Sequence, residues 1–288
     1  MSEAVIKTFF DPTSFTYTHL VQDPVTRRAA IIDSVLNYDP KSGRTRTDAA
    51  DEVIDYVRSE SLSIDWILET HVHADHLSAA HYLKSQLGGQ TGVGNAINLV
   101  QETFKTVFNV EPTFATDGSQ FDVQFADGER FAIGGLAVTV MHTPGHTPAC
   151  VCYNVDDEHL FVGDTIFMPD QGTARCDFPG GDATILFNSV TRILRLPDST
   201  KLYMCHDYGP NGRDYQYLTT VKAERERNIH VNQTIDLATF VQMRSERDAT
   251  LDMPTLILPA VQINIRAGEL PPAEDNGTRY IKVPINAM

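Results

Sequence analysis

The chain has 288 residues, room for one large domain or two small ones, and carries 38 acidic against 23 basic residues for a formal charge of −15. No lysine- or arginine-rich run is present, so the basic footprint that nucleic acid requires is missing. No apolar stretch approaches the roughly 20 residues of a membrane span. The opening MSEAVIKTFFDPTS lacks the basic and apolar regions of an export signal, which suits a soluble, cytoplasmic protein. Cys150, Cys152, Cys176 and Cys205 form neither a CxxC pair nor a disulfide framework, and read as buried small hydrophobes in a reducing compartment.

In chain order, Val5 to Phe10 and Phe15 to Val21 alternate apolar and polar residues as paired strands do, and Arg28 to Ile32 is a third short strand running into Asp33. Asn37 to Arg46, with Pro40 and Gly43, reads as a loop. Asp48 to Ser59 places Ala50, Val53, Ile54 and Val57 at helical spacing. Ile64 to Leu68 is a strand, Leu77 to Leu87 a helix stopped by Gly88-Gly89, and Asn95 to Phe108 a second helix. Strand-like pieces follow from Phe121 to Ile133, broken at Asp127-Gly128. Strands over Ala137 to His142, Cys150 to Tyr153, His159 to Val162 and Lys201 to Cys205 are joined by turns and by a helix from Ala183 to Leu194. Helices over Thr219 to Ile229 and Leu237 to Arg247 precede a Pro-rich, mostly extended tail from Pro254. Strands first, helices alternating, then strands again suit a sheet-on-sheet core covered by helices. One domain spanning 1–288, with a C-terminal extension from about 235, is expected.

The chemistry concentrates where strands end. His71-Val72-His73-Ala74-Asp75-His76 follows the apolar Trp66-Ile67-Leu68, and puts three of the chain's 10 histidines within six residues. Neutral imidazole and carboxylate are ligands that zinc, iron and manganese accept. A turn here can point His71 and His73 to one side and Asp75 and His76 to the other. His146 follows the Pro144-Gly145 turn, Asp164 follows Phe161-Val162-Gly163, and His206 follows Leu202-Tyr203-Met204-Cys205. A lone Asp after a strand is commonly a turn former, and His19, His81, His159 and His230 read as structural. The combination at successive strand ends is what points to a metal, because strand ends hold ligands rigidly.

This order resembles the metallo-β-lactamase superfamily: THxHxDH over Thr70 to His76, PGHT over Pro144 to Thr147, Gly163-Asp164 and the late His206. The resemblance implies an αββα sandwich, two mixed sheets flanked by helices, with a metal site at one edge. In the superfamily pattern His71, His73 and His146 serve one metal position. Asp75, His76 and His206 serve a second, and Asp164 bridges them. Within the superfamily the chain is most similar to persulfide dioxygenases of the ethylmalonic-encephalopathy-protein type. The similar stretches are Phe10 to Tyr17, the His71 to His76 cluster, Pro144 to Pro148, Arg175-Cys176-Asp177-Phe178, His206-Asp207-Tyr208, Glu224 to Asn228 and Pro259 to Gly268. It departs in a longer stretch between Leu87 and Phe131 and in Ala267, where some relatives carry Cys.

That similarity implies one Fe(2+) held by His71, His146 and Asp164, with His73, Asp75, His76 and His206 as a second position or as supports. Zn(2+) or Mn(2+) are alternatives on the same ligands. It further implies a glutathione-type persulfide and O₂ as reactants, sulfite and thiol as products, and a homodimer. Arg175 is expected to meet a substrate carboxylate or to fix Asp177 by a bidentate pair, and Tyr208 to donate to bound sulfur or oxygen, with Asp75 and His76 beside it as catalytic candidates. The alternative is a glyoxalase-II-like thioester hydrolase with two metal ions filling the same set and a bridging hydroxide as nucleophile. A non-enzymatic metal sensor is a third class, disfavoured by the missing basic segment.

Overall fold

The structure, a computed structural model, describes residues 3–286. Strands β1 (Val5–Asp11), β2 (Thr16–Gln22) and β3 (Arg28–Ile32) run antiparallel. The segment expected as a loop is instead a hairpin, β4 (Val35–Asp39) and β5 (Arg44–Arg46), turning through Pro40 and Gly43. Helix α1 (Asp48–Ser59) follows, then β6 (Ser63–Leu68), which lies parallel to β3. Leu77–Ser78 forms the short strand β7 against Val35–Leu36, so α2 (Ala80–Leu87) starts later than the hydrophobic spacing suggests. A strand that periodicity did not reveal, β8 (Gln90–Gly94), pairs in parallel with β6. Gly92 and Gly94 carry no strand signal, yet a Cβ on Gly92 would sit 2.5 Å from the Phe125 ring. Close packing, not flexibility, selects that glycine. Helix α3 (Ile97–Val107) and β9 (Val123–Phe125) complete a first mixed sheet in the order β1-β2-β3-β6-β8-β9.

At Asp127-Gly128 the chain crosses to a second sheet. Its strands are β10 (Arg130–Ile133), β11 (Leu136–His142), β12 (Val151–Val155), β13 (His159–Phe161), β14 (Lys201–Tyr203) and β15 (Leu218–Thr220), adjacent in sequence order, with β13 and β14 parallel. Helix α4 (Ala183–Ile193) connects β13 to β14, and α5 (Val221–Arg227) and α6 (Leu237–Asp248) follow β15. The tail is not extended throughout: Ile257–Asn264 forms α7, nearly all of it buried. Proline at its third position, Pro259, is compatible with a helix start, where the missing N–H is not needed.

Alternation along the strands builds the layers. Ala30, Ile32 and Leu68 point between the sheets and meet Val138, Val140, Val151 and Tyr153. Ala29, Ile31 and Ile67 point outward and are covered by Val53, Ile54, Leu83, Ala260 and Ile263 of α1, α2 and α7. On the far side Cys152, Leu160 and Leu202 are covered by Leu186, Val190, Val221 and Phe240 of α4, α5 and α6. The result is the expected αββα sandwich. All four cysteines are buried and unbridged. Among the described residues no helix is long and apolar enough to cross a membrane.

Helix α7 bears directly on the metal-type cluster. Asn264 Nδ2 donates to the carbonyls of His73 (2.9 Å) and His76 (2.8 Å), and its Oδ1 accepts from Ser78 N–H (2.8 Å). Asn264→Ala leaves one buried donor and two buried carbonyls without partners, and should cost about 3 kcal/mol in unfolding free energy. Denaturant melts of the apo protein measure it. A loss below about 1 kcal/mol would mean that water replaces the amide in full.

Candidate metal centre

Five strands deliver acceptors to one edge of the sandwich. Strands β3 and β6 run parallel, and β11, β13 and β14 share one direction, so Asp33, the His71–His76 turn, His146, Asp164 and His206 all lie beyond carboxyl ends. The return of β13 over the turn needs glycine: Gly163 sits at φ +51°, and a Cβ there would lie 2.5 Å from Thr70 Oγ1. That contact lets Asp164 reach the edge.

The structure sorts the side chains into two groups. Donor atoms of His71, His146 and Asp164 lie within 4.8 Å of one another, as do those of His73, Asp75, His76 and His206. The turn does not divide the cluster two and two as its spacing suggested. The His73 ring lies between its neighbours, 4.1 Å from His71 and 4.2 Å from His76 by centroid, and its donor belongs with Asp75 and His76. Asp164 faces both groups. Its Oδ2 is 3.9 Å from His71 Nε2 and 3.8 Å from His146 Nε2, and its Oδ1 is 3.5 Å from His206 Nε2. Asp75 is held at both oxygens, by His76 Nδ1 (3.1 Å) and His206 Nε2 (3.0 Å).

Hydrogen bonds behind the rings fix which nitrogen keeps a lone pair. His146 Nδ1 lies 2.7 Å from the carbonyl oxygen of Arg175, which only accepts, so Nδ1 carries the hydrogen and Nε2 is the free base. Thr70 Oγ1 donates to Asp33 Oδ2 (2.9 Å) and therefore accepts from His71 Nδ1–H (3.0 Å), which leaves His71 Nε2 free as well. His73 Nε2 sits 3.1 Å from both Asp33 Oδ1 and Glu69 Oε2, so its hydrogen is on Nε2 and its Nδ1 faces the site. Buried side-chain atoms without a hydrogen-bond partner include His73 Nδ1, His76 Nε2 and Asp164 Oδ1. Lone pairs of nitrogen and oxygen aimed at one another in a buried pocket are costly unless a cation joins them. The donor set therefore fits a divalent metal ion.

Electrostatics agree with that reading. Burial and the neighbouring imidazoles push His71 well below its ordinary pKa, and burial brings His76 to about 4. Burial opposes a charge on His73, but Asp33 and Glu69 outweigh it and raise the ring's basicity. A carboxylate behind a ligand ring is the usual way to strengthen it as a metal donor. Burial raises Asp164, so its anion needs a positive partner.

A cavity of about 650 Å³ opens over His146, Asp164 and Asp75, walled by Phe15, Phe167, Phe178 and Leu256. Tyr208 lines it with its ring stacked near His206 (centroids 6.1 Å, 16°). Arg175 lines it too, but its fork grips Asp177 at 2.6 and 2.7 Å and its Nη1 donates to the Asp252 carbonyl at 2.6 Å. Of the two roles foreseen for Arg175, the bidentate pair is the one formed, and Asp177 is not among the residues lining the cavity. His19 donates Nε2–H to the Met204 carbonyl and accepts from the Thr8 hydroxyl at Nδ1, and His230 accepts from Thr173 N–H, both structural as expected.

Sequence reasoning passed over Asp33, Glu69, Thr16 and Asn264. Asp33 follows Ile31-Ile32 just as Asp164 follows an apolar run, so the same rule would have found it. Thr16, bonded to the His76 and His206 rings at 3.3 and 3.2 Å, and Asn264 carry no local signal. Asp33→Asn should weaken divalent-metal affinity by about 10- to 100-fold through His71 and His73, and Glu69→Gln by less. Competition with a chelator of known affinity measures both. Unchanged affinity in Asp33→Asn would mean that the ring orientations do not depend on it.

The family model described as the metallo-beta-lactamase superfamily matches residues 13–206. The chain is 53% identical to a probable metallo-hydrolase of Burkholderia pseudomallei, over 98% of this chain and 99% of that one. It is 52% identical to Glyoxylase B2 of Dictyostelium discoideum, over 100% and 99% respectively. It is also 28% identical to the mitochondrial persulfide dioxygenase ETHE1 of Mus musculus, over 93% and 91%. Among solved structures, ETHE1 from Myxococcus xanthus superimposes with a TM-score of 0.73 at 28% identity, covering 92% of this chain and 100% of that one. Ligand-type residues at five strand ends, the αββα layers and a family match over two thirds of the sequence agree, and the chain belongs to the metallo-β-lactamase superfamily.

Proposed function

We propose that the chain is a mononuclear non-heme iron dioxygenase that oxidises a glutathione-type persulfide to sulfite and the free thiol. The observation that carries this reading is the asymmetry between the two groups of acceptors. Asp164 stands 3.9 and 3.8 Å from the His71 and His146 donors, whereas Asp75 is already engaged at both oxygens by His76 and His206. With Asp75 paired internally, the first group is the one that combines two imidazoles with one carboxylate not yet hydrogen-bonded, which is the facial ligand set of iron(II) oxygenases. Likeness to the persulfide dioxygenases over most of the chain supports the same reading.

Bound there, iron(II) would supply open coordination positions and the redox chemistry that couples O₂ to sulfur. The balance is one persulfide, one O₂ and one water to one thiol, one sulfite and two protons. The protein's own part is placement. His71 and His146 are locked in the tautomer that presents Nε2, and Asp164 turns Oδ2 toward both, with its Oδ1 beside His206. Phe15, Phe167 and Phe178 keep the cavity wall apolar, which favours a soft sulfur over bulk water. Tyr208, in the wall beside His206, is placed to donate its hydroxyl to a sulfur or oxygen atom in the cavity. Asp75 and His76 act from the second group as supports that keep His206 oriented. A homodimer in the cytoplasm goes with this reading, as does a single functional domain over 1–288.

A second reading, a thioester hydrolase with two metal ions, is supported by Asp164 facing both groups and by the names of the relatives at 52–53% identity. Metal analysis of anaerobically purified protein separates the two. About one iron per chain, with O₂ uptake on adding glutathione persulfide, is expected. Two zinc ions per chain, no O₂ uptake and rapid hydrolysis of a glutathione thioester would overturn the dioxygenase. His146→Ala should lose bound iron and O₂ uptake together, and retention of both would mean the triad is misassigned.

A further inference from the structure

A second, much smaller cavity adjoins the large one. It measures about 20 Å³, room for one molecule the size of water or O₂. Val100 and Phe104 of α3 and Ile257 and Val261 of α7 form its walls, with Val72 from the ligand turn, and all of these side chains are buried. Pro179, also in the lining, is exposed, so the cavity extends toward the surface on that side. Thr147 supplies the only polar side chain, and its hydroxyl is engaged 3.1 Å from Cys150 Sγ. A water molecule there would find no free side-chain partner, and a cavity that offers water none stays dry.

Two residues, Ala74 and Phe178, line both cavities. Both belong to the metal-type centre. Ala74 lies between His73 and Asp75, and the Phe178 ring stands edge-on to the His146 ring, with centroids 5.3 Å apart at 70°. One methyl group and one aromatic ring at the ligands are thus common wall to a wide, partly polar cavity and a narrow, dry one. We propose that the small cavity is an O₂ site, from which O₂ reaches the His71–His146–Asp164 position by a way that the persulfide does not occupy. This rests on the dioxygenase reading. That reaction needs both substrates at one centre together, and a persulfide seated in the large cavity stands in the path of anything that follows it. O₂ is small, uncharged and apolar, so it gives up no hydrogen bonds on entering a dry apolar cavity, whereas water and a charged persulfide do. Size and polarity therefore select O₂ at this entrance.

The probe is xenon, an apolar atom that settles in dry cavities, applied under pressure to crystals of the metal-loaded protein. It should occupy the small cavity in the wild type. Val100→Ile and Val261→Ile each add one methylene, from α3 and from α7, without altering a ligand, and each should displace the xenon. In O₂-uptake kinetics the same variants should raise KM for O₂ about 10-fold, the effect of one methylene too many in an apolar pocket, while KM for glutathione persulfide holds. An empty cavity in the xenon-treated wild type overturns the assignment. So does an unchanged KM for O₂ in a variant that has lost the xenon, or an equal rise in both KM values, which would mark a general distortion. Wild-type O₂ uptake tests the underlying reading by itself. Xenon in the cavity with no uptake on adding the persulfide ends the dioxygenase and the O₂ role with it, and uptake without xenon ends the O₂ site alone.

Discussion

Hydrogen bonds made behind the imidazoles govern the whole edge of this sandwich. An imidazole is a ligand only on the nitrogen that lacks a hydrogen, and here the choice is made by the Arg175 carbonyl for His146, by Thr70 and Asp33 for His71, and by Asp33 and Glu69 for His73. Asp33 serves two rings at once and also accepts from Thr70 N–H at 2.7 Å, so a single buried carboxylate at the end of β3 ties the first sheet to the ligand turn. Because these partners are buried, none of the rings can exchange its partner for water, and the lone pairs stay aimed at one volume.

The cost of that arrangement is electrostatic. Asp33, Glu69 and Asp164 are buried and Asp75 is nearly so, in a space shared with five imidazoles. Buried carboxylates are tolerated when paired, and are strongly unfavourable when a partner is missing. Asp33 and Glu69 are paired with His73, and Asp75 with His76 and His206. Asp164 alone keeps an oxygen without a hydrogen bond, at the point where both groups meet. A cation there would settle the remaining charge, which is why metal binding and stability of this edge should be coupled.

The cavity above the site is shaped largely by parts of the chain far from the ligands. Arg244 and Asp248 of α6 hold the segment from Thr173 to Cys176: Arg244 donates to the Thr173 carbonyl, and Asp248 accepts from Cys176 N–H at 2.9 Å. That segment contains the Arg175 carbonyl on which His146 leans. Helix α7 does the same for the other side, where Asn264 holds the carbonyls of His73 and His76. The last fifty residues thus both shape the substrate side and fix the ligand turn, and neither role requires them to contribute a ligand.

The sequence by itself determined the ligand types, their order along the chain and the alternation of strands and helices, because each is a local property: an apolar run of one period followed by an imidazole or carboxylate. It also determined the layered fold, through the resemblance that those motifs carry. Tertiary structure alone decided which acceptors share a volume, since the distances between His71, His146 and Asp164 depend on strands separated by scores of residues. It decided that Arg175 grips Asp177, and that Gln90 to Gly94, poor in apolar residues, is a central strand whose glycine makes room for Phe125. It decided that the tail after Pro254 turns helical, because Ala260 and Ile263 find a hydrophobic surface made by α1, α2 and the first sheet. Asn264, Thr16 and Glu69 gained their roles only there, because a hydrogen bond across the fold leaves no trace in the spacing of neighbouring residues.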